Sequence, residues 1–530
     1  MAQTTSPERP SVGAVATTAD APPPLNDRSF FGHPRGLATL FFTEMWERFS
    51  YYGLRPLLVL FMAAALMDGG FGFSRDQASA IVGIYGFSVY LASLPGGWVA
   101  DRLLGLRRAI LYGAALISLG HISIGLSAFE HGRIPFFLGL ILIVLGTGLL
   151  KPNISATVGD LYPEGGERRD AGFSIFYMGI NVGAFAGQLV TGFLGEQIGW
   201  HWGFGAAGVG MLIGLAVFAT RANKTLGDIG LHPTRNPDPV IQAREERKVK
   251  TVLGAGLAIL AAVVVLAATG VITLNAQAIG QSLVYVTLVM VVLFFASVFM
   301  TGGLSVDEKK RVGVIFVLFI FAMIFWSAFE QAPTSLNLFA RDFTDRQLGG
   351  FEIPATWFQS VNSAFIILCA PLFAAMWVGL GRRGIDLSSP TKFAAGLALA
   401  GIGFVVMFFA AQRVVAGGGN VLVSPWWLVG SYFFQTIGEL ALSPVGLSSM
   451  TKLSPRKYVG QMMGIWFTAS ALGNLIGGLV GGNVDPEKLE QMPKLFSTTS
   501  ISLFVAAVVL ALLAIPIRRM MHGVSTSGAR

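Results

Sequence analysis

Apolar runs of 20 residues or more follow one another along most of this chain, separated by short polar breaks. A run of that length matches the hydrocarbon thickness of a bilayer when coiled as an α-helix. No water is available inside a bilayer to satisfy backbone polar groups, so spanning segments must be helices or closed barrels. The runs are too long for barrel strands, which predicts a helical membrane bundle. Fourteen segments are expected, near 37–67, 77–101, 106–129, 134–158, 170–194, 199–220, 251–273, 279–303, 311–340, 353–380, 389–412, 422–450, 457–483 and 498–520. Composition agrees: 53% of the 530 residues are hydrophobic and 12% are charged, against about 25% charged in soluble domains.

Alternate connections collect the basic residues, among them Arg102/Arg107/Arg108, Arg168/Arg169, Lys309/Lys310/Arg311, Arg382/Arg383 and Arg518/Arg519. The longest connection, 221–250, holds seven Lys or Arg. This alternation predicts an even number of spans with both termini cytoplasmic; the expected location is a cell inner (plasma) membrane. The basic pI of about 9.6 is thus an orientation signal and not a nucleic-acid footprint. Residues 1–30, rich in Ala, Thr, Pro and Ser, read as a disordered tail with no secretory signal to remove. The one cysteine, Cys369, forms no intramolecular disulfide.

The segments are not alike. The seventh and eighth, in 251–303, contain no charged residue and read as an inserted hairpin facing lipid. The remaining twelve are rich in Gly, Pro and internal polar residues. The expected architecture is an all-α membrane protein: a six-helix bundle over 31–220, the basic linker 221–250, the hairpin, a second six-helix bundle over 304–520, and a tail at 521–530. Two six-helix halves around a midplane site are a common transporter plan.

Charges inside the first segment carry the strongest functional signal. The stretch "FFTEMWERFSYYGLRPLL" holds Glu44, Glu47, Arg48 and Arg55. At helical spacing these four, with Tyr51 and Tyr52, fall within an arc of about 140°. Such a face must look into the bundle or a wet cavity, because charge facing lipid is costly. A plain structural reading pairs Glu44 with Arg48 at i,i+4, yet four charges and two tyrosines exceed that need. Lys151, Glu330 and Glu439 are further charges inside apolar segments. With Arg48, Arg55, Glu44 and Glu47 they make four carboxylates against three cations. That excess leaves one carboxylate open to protonation. The glycines before Lys151 do not form the nucleotide-binding pattern GxxxxGK[ST], so ATP-driven transport is not expected. The six histidines are scattered with no metal-ligand spacing, and no cofactor is expected beyond the driving protons. The segment "GGWVADRLLGLRRA" places Asp101 and Arg102 at a membrane edge, where they are equally well read as a topological anchor.

"ExxERFSYYG", "GTGLLKPN", "DAGFSIFYMGINVGAF", "FWSAFEQ", "WFQSVNSAFII" and "GELALSPVGLSSMTKLSP" resemble, in order, blocks of the proton-coupled oligopeptide transporter (POT) family. That family lies within the major facilitator superfamily, and the inserted hairpin resembles its bacterial members. The resemblance implies roles. Arg48 and Lys151 bind the peptide carboxylate; Glu330, with Asn181 and Asn362, receives the amino terminus. Tyr51, Tyr52 and Tyr90 hydrogen-bond the peptide backbone, while Trp466 and Ser470 line the pocket. Arg55–Glu330 and Lys151–Glu439 act as salt bridges between the halves, and Glu44 and Glu47 join Glu330 in proton coupling. Asp101 and Arg102 belong to a loop motif that latches the halves in one state. The histidine that some animal members carry in the second span has no counterpart in "IVGIYGFSVY", so coupling rests on carboxylates. The implied activity is proton symport of di- and tripeptides by a monomer in contact with membrane lipid. Other cargo, such as nitrate or peptide-like drugs, and an ion channel remain alternatives. Nitrate would leave Glu330 without an ammonium to bind, and an enzyme is the weakest reading.

Overall fold

The computed structural model describes residues 27–130, 132–234, 237–384 and 387–521. Most of both expected tails therefore lies outside the described residues. Residues 27–34 are tied down instead of loose: Asp27 accepts from the Arg35 backbone N–H at 3.0 Å, and Phe30 bridges to His33.

Fourteen long helices occupy the fourteen expected segments. The first half comprises α1 (Arg35–Ala63), α2 (Arg75–Val99), α3 (Leu106–Glu130), α4 (Arg133–Asp160), α5 (Gly166–Phe193) and α6 (Trp200–Thr225). Then come α7 (Pro239–Ala268) and α8 (Ala276–Thr301). The second half holds α9 (Val306–Phe329), the short α10 (Asn337–Phe343), α11 (Trp357–Arg382), α12 (Ser389–Ala416), α13 (Trp426–Leu453), α14 (Val459–Gly481) and α15 (Gln491–Met520). Twelve spans are long and apolar enough to cross a membrane. The remaining long helices, α1 and α13, have 29 and 28 residues; α1 carries four buried charges and α13 the half-buried Glu439. Helix starts follow local chemistry. Ser74 and Asn275 cap α2 and α8, Asp238 with Pro239 opens α7, and Ser305 with Glu308 forms a capping box on α9.

The first six helices pack on one another around α1, and α9 with α11–α15 form the second bundle; α2 with α14 and α5 with α11 make the seams between them. This is the major facilitator arrangement. The inserted pair departs from expectation. Helix α7 begins at Pro239, inside the expected linker, and its membrane-length stretch is wholly outward-facing. Helix α8 instead packs against α2, α9 and α14, with Gly280 against Leu479 and Gln277 bonded to the Asp76 carbonyl at 2.9 Å. Among the described helices, the membrane-length stretch of α7 alone buries no residue.

The ninth segment is not one helix. Helix α9 ends at Phe329, a π-turn spans Ala332–Leu336, and α10 resumes at Asn337. Pro333 lacks the N–H that a continuous helix needs there, and π-turns mark functional sites often. Glu330 is therefore at a helix end and not in mid-helix. Along this break runs α14, whose Gly473, Gly477 and Gly481 meet Trp326, Glu330 and Thr334. Small residues at four-residue spacing let backbones approach closely in a membrane. On the opposite face of α14, a Cβ on Gly83 of α2 would lie 2.9 Å from the Gly478 Cα.

Candidate functional site

A cavity of about 280 Å³ lies between the halves. Helix α1 supplies Glu44, Arg48, Tyr52 and Arg55 to its wall, α2 supplies Tyr90, α4 Lys151 and α5 Asn181. The second half supplies Glu330, Asn362, Glu439, Trp466 and Ser470. Two expected residues stand behind the wall. Glu47 and Tyr51 are buried but do not line the cavity. The Tyr51 ring sits 5.1 Å from the Arg48 guanidinium carbon and 5.9 Å from that of Arg55. In this structure it supports the two cations and is not placed to touch a solute.

Arg48 forms ion pairs with Glu44, at 3.1 Å, and with Glu47. All three are nearly sealed from solvent, at 1–2% exposure. These contacts are close in distance but off-line as hydrogen bonds: Arg48 Nε and Nη2 and one oxygen of each carboxylate have no hydrogen-bond partner among the described residues. A buried charge cluster with unused donors is costly unless something else completes it. Arg55 Nη2 bonds Glu330 Oε2 at 2.6 Å across the seam and also reaches Asn474.

The second expected bridge is not made in this state. Lys151 has no carboxylate within ion-pair distance among the described residues; its Nζ lies 4.1 Å from the Tyr90 ring centre. Glu439 instead accepts from Asn362 Nδ2 at 3.4 Å, and Asn362 also donates to Thr436 Oγ1 at 2.9 Å. Asn181 Nδ2 is taken up by the Tyr177 carbonyl at 3.1 Å. Arg102 pairs at 2.7 Å with Glu245 of α7, and the Asp101 carbonyl accepts from Thr234 N–H. That loop motif therefore grips the inserted segment here and does not latch the halves together.

The cavity is sealed at one end. Arg75 pairs with Asp342, Asn337 Nδ2 donates to the Pro56 carbonyl at 2.8 Å, and the Trp357 indole donates to the Leu189 carbonyl at 2.8 Å. The Glu196 carboxylate accepts from Ala355 N–H, Thr356 N–H and Thr356 Oγ1 at 2.8–2.9 Å. All of these cross from one half to the other at the far end, away from the basic connections. At the basic end no hydrogen bond or ion pair joins α4 or α5 to α13 or α14 among the described residues. The far end is thus tied shut by directed bonds, while α4 and α5 are not bonded in this way to α13 and α14 at the basic end among the described residues.

Sequence reasoning missed several wall residues: Tyr177, Gln188, Trp326, Gln359 and Tyr432. The available signal was an uncharged polar group inside an apolar helix, weaker than a charge but of the same kind. His121 bonds Ser50 Oγ at 2.5 Å in the core of the first half and does not reach the cavity. No cluster able to hold a metal occurs among the described residues.

Cations on one wall and a carboxylate on the other, held between two helical halves sealed at one end, define a carrier of the major facilitator fold. More narrowly, the chain belongs to the POT family, whose sequence profile matches residues 107–494. It is 51% identical over 499 residues to the peptide transporter YePEPT of Yersinia enterocolitica, covering 93% of this chain and 96% of that one. It is 36% identical to a di-/tripeptide transporter of Lactococcus lactis, covering 94% and 98%. A crystal structure of a POT peptide transporter in complex with sulfate superimposes with a TM-score of 0.85 at 40% identity, covering 95% of this chain and 98% of that one. The protein is a multi-pass membrane transporter.

Proposed function

We propose that this protein imports di- and tripeptides by proton symport, with the basic end in the cytoplasm of a cell bounded by its inner membrane. One observation carries the reading: Arg48 and Lys151 on the first half and Glu330 on the second line the same small cavity. A peptide is a zwitterion whose end charges recur in every sequence while its side chains vary. Fixed cations on one wall and a carboxylate on the other read those constant ends. Tyr52, Tyr90, Asn181 and Asn362 lie between them, and Trp466 and Ser470 offer an adaptable surface for variable side chains. The names of the Yersinia and Lactococcus relatives point to the same cargo.

Coupling follows from shared partners. Protonation of Glu330 removes the charge that holds Arg55, which loosens the far-end seal. Deprotonation on the cytoplasmic side re-forms the bond and holds the far end shut while the peptide leaves. Glu44 and Glu47 set how strongly Arg48 is available to the peptide carboxylate. Lys151 and Glu439 form the alternative bridge when the basic end closes. The cycle needs no cofactor, and one chain contains the whole site. Each positive charge moving inward through 100 mV gains about 2.3 kcal/mol, roughly fortyfold in accumulation.

Counterflow in liposomes with a labelled dipeptide, with and without an inward proton gradient, tests this. Saturable exchange that becomes accumulation only with the gradient is expected. Exchange without gradient-driven accumulation would remove the proton, and no exchange would remove the cargo.

A further inference from the structure

Beyond the charged residues, the cavity wall holds side-chain polar atoms that are sealed from solvent and have no hydrogen-bond partner among the described residues. These atoms are Gln188 Oε1, Trp326 Nε1, Gln359 Nε2 and Tyr432 OH. Two of the four are carboxamides from opposite halves. Gln188 on α5 is 5% exposed and Gln359 on α11 is 7% exposed. Neither side chain makes a hydrogen bond to any described residue.

Their positions are related. Gln188 follows Asn181 by two helical turns on the same face of α5, and Gln359 precedes Asn362 by one turn on the same face of α11. Their near neighbours Leu189 and Trp357 join across the seam through the 2.8 Å indole bond. The two carboxamides therefore cap the cavity at its sealed end and flank one cross-half contact. Burying an amide without a hydrogen bond destabilises a fold, and an apolar residue of the same shape would remove that cost. Two such amides on the wall of one solute cavity, beside the same cross-half contact, point to a ligand that completes them.

We infer that Gln188 and Gln359 form a subsite that reads a backbone amide of the cargo. Gln359 Nε2 donates to a peptide carbonyl, and Gln188 Oε1 accepts from the N–H of the same planar unit. The unit is the one next to the amino terminus, because the subsite and Glu330 both lie at the sealed end of the cavity. That unit occurs in every di- and tripeptide, so the pair adds affinity without selecting a side chain. This inference rests on the peptide-transport reading.

The test pairs variants with substrates. Purified protein is titrated with dialanine and with its ester analogue, in which oxygen replaces the peptide N–H. In the unmodified protein the ester binds about five- to tenfold more weakly, the range for one hydrogen bond. In Gln188→Met, dialanine weakens by a similar factor, while the ester changes by less than about twofold. In Gln359→Met both ligands weaken together, because both keep the carbonyl. Melting of the substrate-free protein stays level or rises in each variant, since a buried unbonded amide has been removed.

Equal losses for dialanine and ester in Gln188→Met overturn the subsite. So does a lowered melting temperature with affinity kept, which would assign the glutamines to the fold or to bound water. Unchanged affinity in Gln359→Met overturns it independently, should Gln188→Met fail to fold. Failure of the unmodified protein to bind either ligand overturns the cargo reading and the subsite together, a separate and recognisable result.

Discussion

The two ends of the chamber are built on opposite principles. At the far end, donors and acceptors from the two halves are matched in directed bonds. Arg55 meets Glu330, Arg75 meets Asp342, and Glu196 gathers three donors at the start of α11. Between those bonds, Gly83 and Gly478 bring α2 and α14 into backbone contact. At the basic end, Lys151 and Glu439 both line the cavity from opposite halves without pairing. One end is closed by charges that have found partners, and toward the other the charges stand unpaired with each other. Bonds to charged groups contribute about 1.5–3 kcal/mol each, so a few of them outweigh the small bias a two-state carrier needs. The lesson is that closure here includes separable bonds alongside the close packing of α2 on α14. Such a seal can be undone one partner at a time.

Four experiments press on this contrast. The largest effect is expected from Glu330→Gln, which leaves Arg55 without its countercharge and removes the titrating partner. Proton-driven accumulation in liposomes should disappear, while full accumulation would show that the far-end seal does not depend on that carboxylate. Next, Arg48→Ala or Lys151→Ala should weaken binding of free peptides by about tenfold or more. Amidated peptides, which lack the carboxylate, should lose much less. Equal losses would take both cations out of the carboxylate site and leave Lys151 purely a gate residue.

Glu196→Ala should follow in size. Removing an acceptor shared by three donors strands them at the seam, and the population should shift by about tenfold toward the far-end-open state. Spin labels placed on either side of that end would read the shift as a longer distance, and an unchanged distribution would strike Glu196 from the seal. The smallest effects separate the inserted helices. Ile259→Ala on the outward-facing α7 should leave transport unchanged, whereas Gly280→Leu on α8, pressed against Leu479, should lower it several-fold. Equal tolerance would return α8 to the periphery with α7.

Much of this was legible in the sequence, for identifiable reasons. Segment length and basic alternation depend only on the bilayer and locate all fourteen long helices. Charges in apolar segments marked the cavity because so few other places in a membrane hold them. Angular projection of α1 placed its polar face but not the depth of each residue, so Tyr51 was expected at the solute and stands behind it. The break after Glu330 was signalled by Pro333, yet a proline alone does not distinguish a kink from a π-turn. Gln188 and Gln359 escaped notice because a neutral amide gives a weak signal, and because their partnership exists only across the assembled seam. The packing of α8 was hidden for the converse reason: a helix without charged residues looks much the same whether lipid or protein covers it.

The interrupted ninth segment has a mechanical consequence. A carboxylate fixed in the middle of a long rigid rod could let go of its partner only if the rod tilted as a whole. At the stump of a helix, followed by a five-residue π-turn, it can swing on an elbow while the pillar below stays upright. In the proposed cycle, the part that moves when the far end opens is then the short piece beyond the elbow.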